Sequence, residues 1–498
     1  MTSPTRRQIG TSILWSGAGA ALLRVGQLAV GVFAARVLVP HDFGVFAIAM
    51  VVYAVVVNVS DLGVSSAVIR EWERLDELAP TAVTLSLVSS ALIAAATAMA
   101  AHPVAVALGA PESAPAIQVL SLVVLLAGPS AVPSALLTRG FRQDLKFRAD
   151  AASFLAANLT MIPLALLGWG AMALAWSRVL GQLASVIVLI VLAPRRYPPR
   201  FDRRAAGELI RFGVPLIGAN LVGLALDNAD SVTVNRVNGT PQLGSYTLAN
   251  NVASWPQGLM QPILLNVGLP LVSRLRTRPG LLERFVALSL SITTGSFYFG
   301  SAVIGALAGP LVLTLYGSKW TAAIPILSVL AFAGAVRGMV TPLTDVLVAC
   351  RATHALFVIN LVWLVVLVPS LVLGSTTLGP VGAAWAHLAT LLLVVVPLMF
   401  FYIHRVTGMA LREPLIGMLR PFLLASLAAA AAYLVSRLCT IPWTGLVAGG
   451  VVASALYLVT SHRWIRDQLR AAHALAGLLD DPEPEASTRS GASGGDGP

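Results

Sequence analysis

The sequence predicts an all-α polytopic membrane protein with about 14 transmembrane helices. Of its 498 residues, 57% are hydrophobic and only 11% are charged, and the mean hydropathy is +0.82. A water-soluble domain carries about 25% charged residues, so this composition excludes a soluble fold. The two cysteines, Cys350 and Cys439, lie far apart in the chain, which excludes a disulfide framework and a cysteine-based metal site.

Apolar windows long enough to cross a bilayer recur along the chain, separated by proline, glycine or clusters of charge. A helix needs about 20 apolar residues to span the hydrocarbon core. The predicted spans are 10–36, 43–67, 79–105, 115–138, 151–168, 170–193, 209–235, 243–271, 283–309, 321–348, 354–374, 378–403, 417–436 and 442–461.

Basic residues alternate between successive loops. One set of loops is rich in arginine, whereas the intervening loops hold only Arg36, Arg236, Lys319 and Arg437. Since loops rich in Lys and Arg stay in the cytoplasm, we expect a plasma (inner) membrane protein with both termini cytoplasmic. The net charge of +11 lies in these loops, so it indicates topology and no nucleic-acid partner.

Two outer helix–turn–helix corners match at a constant offset along the chain. The matching pairs are Arg36 and Arg236, Val37 and Val237, Gly44 and Gly244, Phe46 and Tyr246, and Ala49 and Ala249. An even number of predicted helices separates the copies, so the halves have the same orientation. They should be related by a two-fold axis along the membrane normal and enclose a central cavity. The alternative is chance similarity between two corners.

The repeat divides the chain into lobes, followed by segments outside the duplication. Apolar residues at helical spacing opposite arginines favour a helix on the inner membrane face near the C-terminus, although a solvated tail is the alternative. A Pro-, Ser-, Gly- and acid-rich end predicts disorder. The predicted organisation is an N-lobe (1–196), a basic cytoplasmic linker (197–208), a C-lobe (209–405), helices 13 and 14 (417–461), an interfacial helix (462–479) and a disordered cytoplasmic tail (480–498).

Several strings of residues carry a family resemblance. They are Arg36-Val-Leu-Val-Pro-His-Asp-Phe-Gly44, Asp61-Leu-Gly-Val-Ser-Ser-Ala-Val-Ile-Arg70, Leu209-Ile-Arg-Phe-Gly-Val-Pro-Leu-Ile217 and Leu243-Gly-Ser-Tyr-Thr-Leu-Ala249. Together they resemble the polysaccharide-transport (Wzx-type) lipid-linked oligosaccharide flippases of the multidrug, oligosaccharidyl-lipid and polysaccharide exporter superfamily.

The resemblance implies two six-helix lobes around a central cavity and transport by alternating access. The implied substrate is a polyprenyl-diphosphate-linked oligosaccharide, moved from the inner to the outer leaflet for cell-surface polysaccharide synthesis. Membrane lipids and a polysaccharide polymerase or glycosyltransferases are the implied partners. Two helices beyond the twelfth are usual in lipid-linked sugar exporters, whereas drug exporters of the superfamily usually stop at twelve.

Ionisable residues inside the predicted spans are candidate site residues, because each costs about 2.5–3.5 kcal/mol on insertion. Arginine donates bidentate hydrogen bonds to phosphate and stays charged, so one interpretation makes Arg24, Arg178 and Arg337 the diphosphate-binding residues. The other interpretation pairs them with acids as structural ion bridges, for instance Arg24 with Asp227. Asp227 and Asp230 are candidates for coupling to H⁺ or Na⁺, and Asp61 and Asp345 fall near the inner rim as candidate gate residues.

One face of the eighth helix is polar. Spacings of four, four, three and four place five side chains on this face, and we expect it to contact sugar hydroxyls. A polar seam between helices explains the same pattern. The stripe consists of Tyr246, Asn250, Ser254, Gln257 and Gln261.

The sequence offers no catalytic motif, cofactor site or metal site. The nucleotide-binding string Gly-x-x-x-x-Gly-Lys-Ser/Thr is absent, and His354 and His387 are isolated rather than paired at metal-ligand spacing. We therefore expect a transporter rather than an enzyme such as a membrane glycosyltransferase. The alternatives are a multidrug or cation exporter of the same superfamily and a non-transporting scaffold in a polysaccharide-synthesis complex.

Overall fold

The computed structural model describes residues 26–60, 68, 74–140, 142–258, 272, 279–409 and 412–480. Within these ranges the regular structure is helical, without a strand. Ten helices in the described part of the chain are long and apolar enough to cross a membrane. Each of the predicted spans overlaps a described helix, which confirms the predicted all-α membrane architecture.

The N-lobe is built from consecutive helices that pack side by side. Helix α3 packs along α4, α5 packs along α6, and α4 contacts both α2 and α6. Buried alanines such as Ala101, Ala116 and Ala175 lie between these helices, because small side chains let apolar helices approach closely. The helices are α1 (Gly26–Val37), α2 (Pro40–Ser60), α3 (Leu75–Ala107), α4 (Ala114–Arg139), α5 (Gln143–Leu166) and α6 (Ala171–Leu192).

A continuous apolar core lies mainly in the C-lobe, from Leu226 to Met409, and also takes in Ala47 and Ile48 of α2 in the N-lobe. Helix α7 packs along α13, and α12 contacts both α8 and α13. The helices are α7 (Arg203–Asn238), α8 (Thr240–Ala253), α9 (Pro279–Thr293), α10 (Phe299–Ala306), α11 (Ala308–Leu315), α12 (Ala323–Ala349), α13 (Thr353–Thr390) and α14 (Val396–Thr407).

Helix α13 contains two of the predicted crossings. Gly379 has a φ of 63°, a conformation that glycine adopts without steric penalty, and Pro380 follows it. The arms on either side approach so closely that a Cβ on Gly374 would lie 2.3 Å from the carbonyl oxygen of Gly382. The chain therefore turns back at Gly379, as the separate predicted spans 354–374 and 378–403 require.

A further helix pair packs on the C-lobe. Helices α15 (Arg412–Leu438) and α16 (Pro442–Asp480) pack along each other and against α9, α10 and α11. A π-helical turn at Thr294–Tyr298 joins α9 to α10, and the Tyr457 hydroxyl donates to the Gly295 carbonyl at 2.9 Å. The indole of Trp464 lies against Gly295, where a Cβ would approach it to 2.3 Å.

The two lobes contact each other at the repeated helix–turn–helix corners. We call this end of the molecule the corner end. A Cβ on Gly44 would lie 1.9 Å from the carbonyl oxygen of Thr240, and a Cβ on Gly244 would lie 1.7 Å from that of Pro40. Gly44 and Gly244 are equivalent in the repeat, as are Pro40 and Thr240. The contact is therefore reciprocal, as expected around a two-fold axis.

On one side of this contact, hydrogen bonds join the two lobes. Arg36, near the end of α1, donates through Nε to the carbonyl of Leu315 at 2.6 Å and through Nη2 to the carbonyl of Thr314. In return, Lys319 donates through Nζ to the carbonyls of Arg36 at 2.8 Å and Leu38 at 2.6 Å. Each cation thus binds the C-terminal carbonyls of the other lobe's helix, where a positive charge is favourable.

Two hydrogen bonds join the lobes on the other side. The Asn235 amide donates to the carbonyl of Leu108 at 3.0 Å, and the Thr240 hydroxyl donates to Glu112 at 2.8 Å. The corner end is therefore closed in this structure.

We call the opposite end of the molecule the linker end. Here α7 begins at Arg203, earlier than the predicted span 209–235. The Asp202 carboxylate accepts from the backbone N–H groups of Arg204 at 2.8 Å and Ala205 at 2.9 Å. These bonds cap the helix and lower the pKa of Asp202. The second half of the predicted linker 197–208 is consequently helical.

The remaining linker is bound to the N-lobe. The Thr84 hydroxyl donates to the carbonyl of Arg200 at 2.7 Å, and Asp76 accepts from the Tyr197 hydroxyl at 2.6 Å. An exposed ion pair between Arg74 and Glu208, at 3.0 Å, links the start of α3 to α7.

Helix α16 continues through the predicted interfacial segment 462–479 without a break. No proline or glycine interrupts the chain from Val451 to Ala476, so nothing in the sequence ends the helix at residue 461. Its position relative to the membrane surface stays a prediction. The tail beyond Asp480 lies outside the described residues.

Candidate functional site

A chain of polar side chains lies inside the C-lobe. Arg337, on α12, is half-buried among apolar neighbours. Its Nη2 lies 3.1 Å from Nε2 of His387, and its Nε is buried without a hydrogen-bond partner. An unpaired N–H in such surroundings is costly, so this guanidinium has unused capacity to bind an acceptor.

The chain continues through His387 to two further helices. Nδ1 of His387 lies 2.8 Å from Oδ2 and 3.1 Å from Oδ1 of Asp230, and the Tyr246 hydroxyl donates to Asp230 at 2.9 Å. His387, Asp230 and Tyr246 are only 4%, 7% and 2% exposed. We call Arg337, His387, Asp230 and Tyr246 the relay cluster; its members come from α12, α13, α7 and α8.

Hydrogen-bond chemistry determines the protonation state of the cluster. Arginine can only donate and an ionised carboxylate can only accept. His387 lies between them, so Nε2 accepts from Arg337 while Nδ1–H donates to Asp230. The imidazole is therefore neutral and in its Nδ1–H tautomer, an assignment that follows from the network rather than from hydrogen positions.

Asp227 lies next to the cluster at an exposed position. This residue lies about one turn before Asp230 on α7, is exposed, and lies within electrostatic range of Arg337, Asp230 and His387. On another side, the Trp363 ring meets His387 edge-on, with centroids 6.3 Å apart, and its Nε1 is buried without a partner.

The predicted diphosphate-binding arginines are not all brought together. Arg337 is in the relay cluster, whereas Arg178 is exposed on α6 of the N-lobe, with its charge in range of the Tyr53 hydroxyl. Arg24 lies outside the described residues. The predicted pairing of Arg24 with Asp227 is untested for the same reason.

The predicted sugar-contacting stripe is partly described. Tyr246 is buried with its hydroxyl engaged by Asp230. Asn250, Ser254 and Gln257 are half-buried, and the Ser254 hydroxyl donates to the carbonyl of Asn251 at 2.7 Å. Gln261 lies outside the described residues, and sugar contact by the stripe stays a prediction.

The structure describes only one of the two candidate gate residues. Asp345 is half-buried on α12, about two turns beyond Arg337, and Asp61 lies outside the described residues. Among the described residues, no group of three or more His, Cys, Asp or Glu side chains could hold a metal ion. The gate role of both aspartates stays a prediction.

Sequence reasoning missed His387 as a site residue. The histidine was judged by metal-ligand spacing alone, although it lies inside the predicted span 378–403. An ionisable side chain in an apolar span is a candidate site residue by the criterion that selected Arg337. Applied to histidine, that criterion would have found His387.

Two helical lobes joined reciprocally at repeated corners, with a buried ionisable cluster inside one lobe, define a two-lobed, polytopic α-helical membrane protein. The match of residues 33–325 to the family model described as "Polysaccharide biosynthesis protein" makes the assignment specific. The chain belongs to this family.

Relatives with described roles support the assignment. The chain is 29% identical over 317 residues to the succinoglycan biosynthesis transport protein ExoT of Rhizobium meliloti (strain 1021), a match that spans 62% of each protein. It is 24% identical over 400 residues to the lipopolysaccharide biosynthesis protein WzxC of Escherichia coli (strain K12), covering 78% of this chain and 80% of WzxC.

The fold has a solved counterpart. The structure described as "Lipid II flippase MurJ, inward closed conformation" superposes with a TM-score of 0.73 at 13% identity, covering 92% of this chain and 100% of MurJ. At this identity the likeness shows the fold alone.

Proposed function

We propose that this protein moves a polyprenyl-diphosphate-linked oligosaccharide from the inner to the outer leaflet of the plasma membrane for cell-surface polysaccharide synthesis, without an enzymatic step. Membership of the polysaccharide biosynthesis family and similarity to a transport protein for succinoglycan synthesis support this class of substrate. The lobes alternate access to a site between them, as in other transporters built from repeats.

The observation that carries the proposal is Arg337. A guanidinium inside a membrane-spanning lobe is costly, and its buried Nε lacks a partner. A diphosphate oxygen is the strongest acceptor that the proposed substrate offers to such a donor. The sugars extend along Asn250, Ser254 and Gln257, and the lipid tail stays in the bilayer between helices.

The membrane potential favours this direction of movement. The corner end is the outer end in the predicted orientation, so its closure corresponds to a carrier that is shut toward the outside. One elementary charge crossing 100 mV is worth about 2.3 kcal/mol, and an interior-negative potential drives the diphosphate outward. Return of the empty carrier is coupled to H⁺ or Na⁺ at Asp227 or Asp230.

Transport in proteoliposomes tests the proposal. We expect the purified protein to move a fluorescent polyprenyl-diphosphate sugar between leaflets. Arg337→Gln should slow this at least tenfold, because a hydrogen bond to a charged group contributes about 1.5–3 kcal/mol. Arg437→Gln is the matched control, since Arg437 lies at the end of α15 over the Tyr433 ring. Undiminished transport by Arg337→Gln would refute the role of Arg337.

A cation exporter is the second candidate, favoured by the exposed carboxylate of Asp227 beside Asp230. This candidate predicts export of an organic cation dye and loss of that export in Asp227→Asn. Transport of the dye but not of the lipid-linked sugar would replace the flippase proposal. Transport of neither would favour a scaffold role.

A further inference from the structure

We propose that the relay cluster is a proton-binding site in which protonation of His387 releases Arg337 to bind an anionic headgroup. The inference rests on the proposed function for the identity of the headgroup, a lipid-linked diphosphate. It goes beyond that function by adding a proton that binds together with the headgroup, the residue that takes it up and the side chain that responds; this proton is distinct from the ion coupled to return of the empty carrier.

The position of the added proton follows from the geometry. Nδ1 of His387 already carries a hydrogen, directed at Asp230 2.8 Å away, so a second proton can add only at Nε2. That nitrogen accepts the hydrogen bond from Arg337 at 3.1 Å. A protonated Nε2 cannot accept it, and the imidazolium and guanidinium would then be two cations at contact distance.

Protonation therefore breaks one bond of the cluster and strengthens another. Asp230 becomes the counterion of the imidazolium, with the Tyr246 hydroxyl still donating to it. Arg337 leaves His387 with its charge intact. The space beside Asp227, which is exposed and in electrostatic range of Arg337, is where the released guanidinium meets either that carboxylate or a bound anion.

The groups around His387 make it the proton acceptor of the cluster. Asp227 and Asp230 face it from α7, Tyr246 from α8, Arg337 from α12, and the Trp363 ring edge from the first arm of α13. Tyr246 already holds its proton in the bond to Asp230. Asp230 is ionised and accepts two hydrogen bonds. Within the cluster, His387 alone has a neutral ring nitrogen that can take up a proton.

Proton uptake and anion binding are linked by this exchange. An anion that binds Arg337 withdraws the guanidinium from Nε2 and favours protonation, and protonation frees Arg337 for the anion. By linkage, affinity for the headgroup rises when a lower pH favours the protonated form of His387. The limit for one linked proton is tenfold per pH unit.

The first test needs no ligand. An imidazolium beside Trp363 quenches indole fluorescence, so we expect a loss of fluorescence at low pH in the full-length protein in nanodiscs. It should disappear in His387→Gln and in Trp363→Phe. The Gln side chain can accept from Arg337 and donate to Asp230, so this variant keeps both hydrogen bonds of neutral His387. A titration that persists in His387→Gln, or is absent from the wild type, overturns the inference.

The second test measures linkage with polyprenyl diphosphate as the probe. Calorimetry in two buffers of different ionisation enthalpy gives the protons taken up per ligand bound. Titration of the phosphates is common to both proteins, so the difference between wild type and His387→Gln isolates the histidine. We expect up to one additional proton in the wild type. No difference between the proteins overturns the linkage, whereas a normal Trp363 titration without any binding of the probe refutes the proposed substrate and leaves the proton site standing.

Discussion

Gly44→Ala should open the corner end. The new Cβ would lie 1.9 Å from the carbonyl oxygen of Thr240, whereas ordinary contacts begin near 3.4 Å. The two backbones must therefore separate by about 1.5 Å, and overpacking of this kind costs about 1–3 kcal/mol. Only conformations in which the corners touch bear this cost. The population should shift away from the closed corner by about 5- to 150-fold.

Cysteine labelling measures this shift. Ala47 of α2 is buried in the core that the C-lobe builds, so Ala47→Cys reports separation of the lobes in a background without Cys350 and Cys439. We expect a membrane-impermeant maleimide, added outside, to label it about 5- to 150-fold faster when Gly44→Ala is present.

Gly31→Ala is the matched control. It is also a helical glycine, but a Cβ there meets nothing within 4 Å, so it shares the gain in helix propensity without the collision. Gly244→Ala, the equivalent position in the repeat, should act like Gly44→Ala. Equal labelling rates in the Gly44→Ala and Gly31→Ala proteins, with unchanged thermal stability, would refute the reciprocal corner as a gate.

Three further predictions concern contacts between the lobes, at the added helix pair and at the linker end. Lys319→Met keeps the aliphatic stem but removes the ammonium from two helix-terminal carbonyls, and should lower stability at the corner end by about 1–3 kcal/mol, measured by thermal unfolding. Gly295→Ala should lower the free energy of unfolding by about 1–3 kcal/mol, because the new Cβ collides with Trp464. In a Trp464→Ala background, the same substitution should cost much less. Equal costs in the two backgrounds would contradict the contact. Arg74→Gln should change transport little, because a solvent-exposed ion pair such as that with Glu208 contributes little to stability, and any effect should vanish at high salt.

Membrane class, helix spans and duplication were predictable because they depend on local properties of the chain. Whether a segment enters a bilayer depends on its summed hydropathy, so the spans coincide with described helices even around the turn at Gly379. The match of Gly44 with Gly244 indicated a two-fold relation that the reciprocal corner contact supports.

The local ends of helices were less predictable. The basic residues near 203–208 predicted a linker, but the Asp202 cap begins α7 there. Likewise, apolar residues at helical spacing opposite the arginines predicted an interfacial helix after residue 462, and α16 continues through this segment without a break. In both segments charge indicates contact with water, which a helix extending beyond the bilayer satisfies as well as a loop does.

The sequence by itself determined that ionisable side chains such as Arg337 and Asp230 enter the membrane. Only the tertiary structure decided which of them meet. The members of the relay cluster come from four helices, and their contacts depend on how each helix is rotated and where it crosses its neighbours. Hydropathy does not specify how a helix is rotated about its axis or where it crosses its neighbours. Close packing around glycine and alanine determines both, and this places His387 between Asp230 and Arg337.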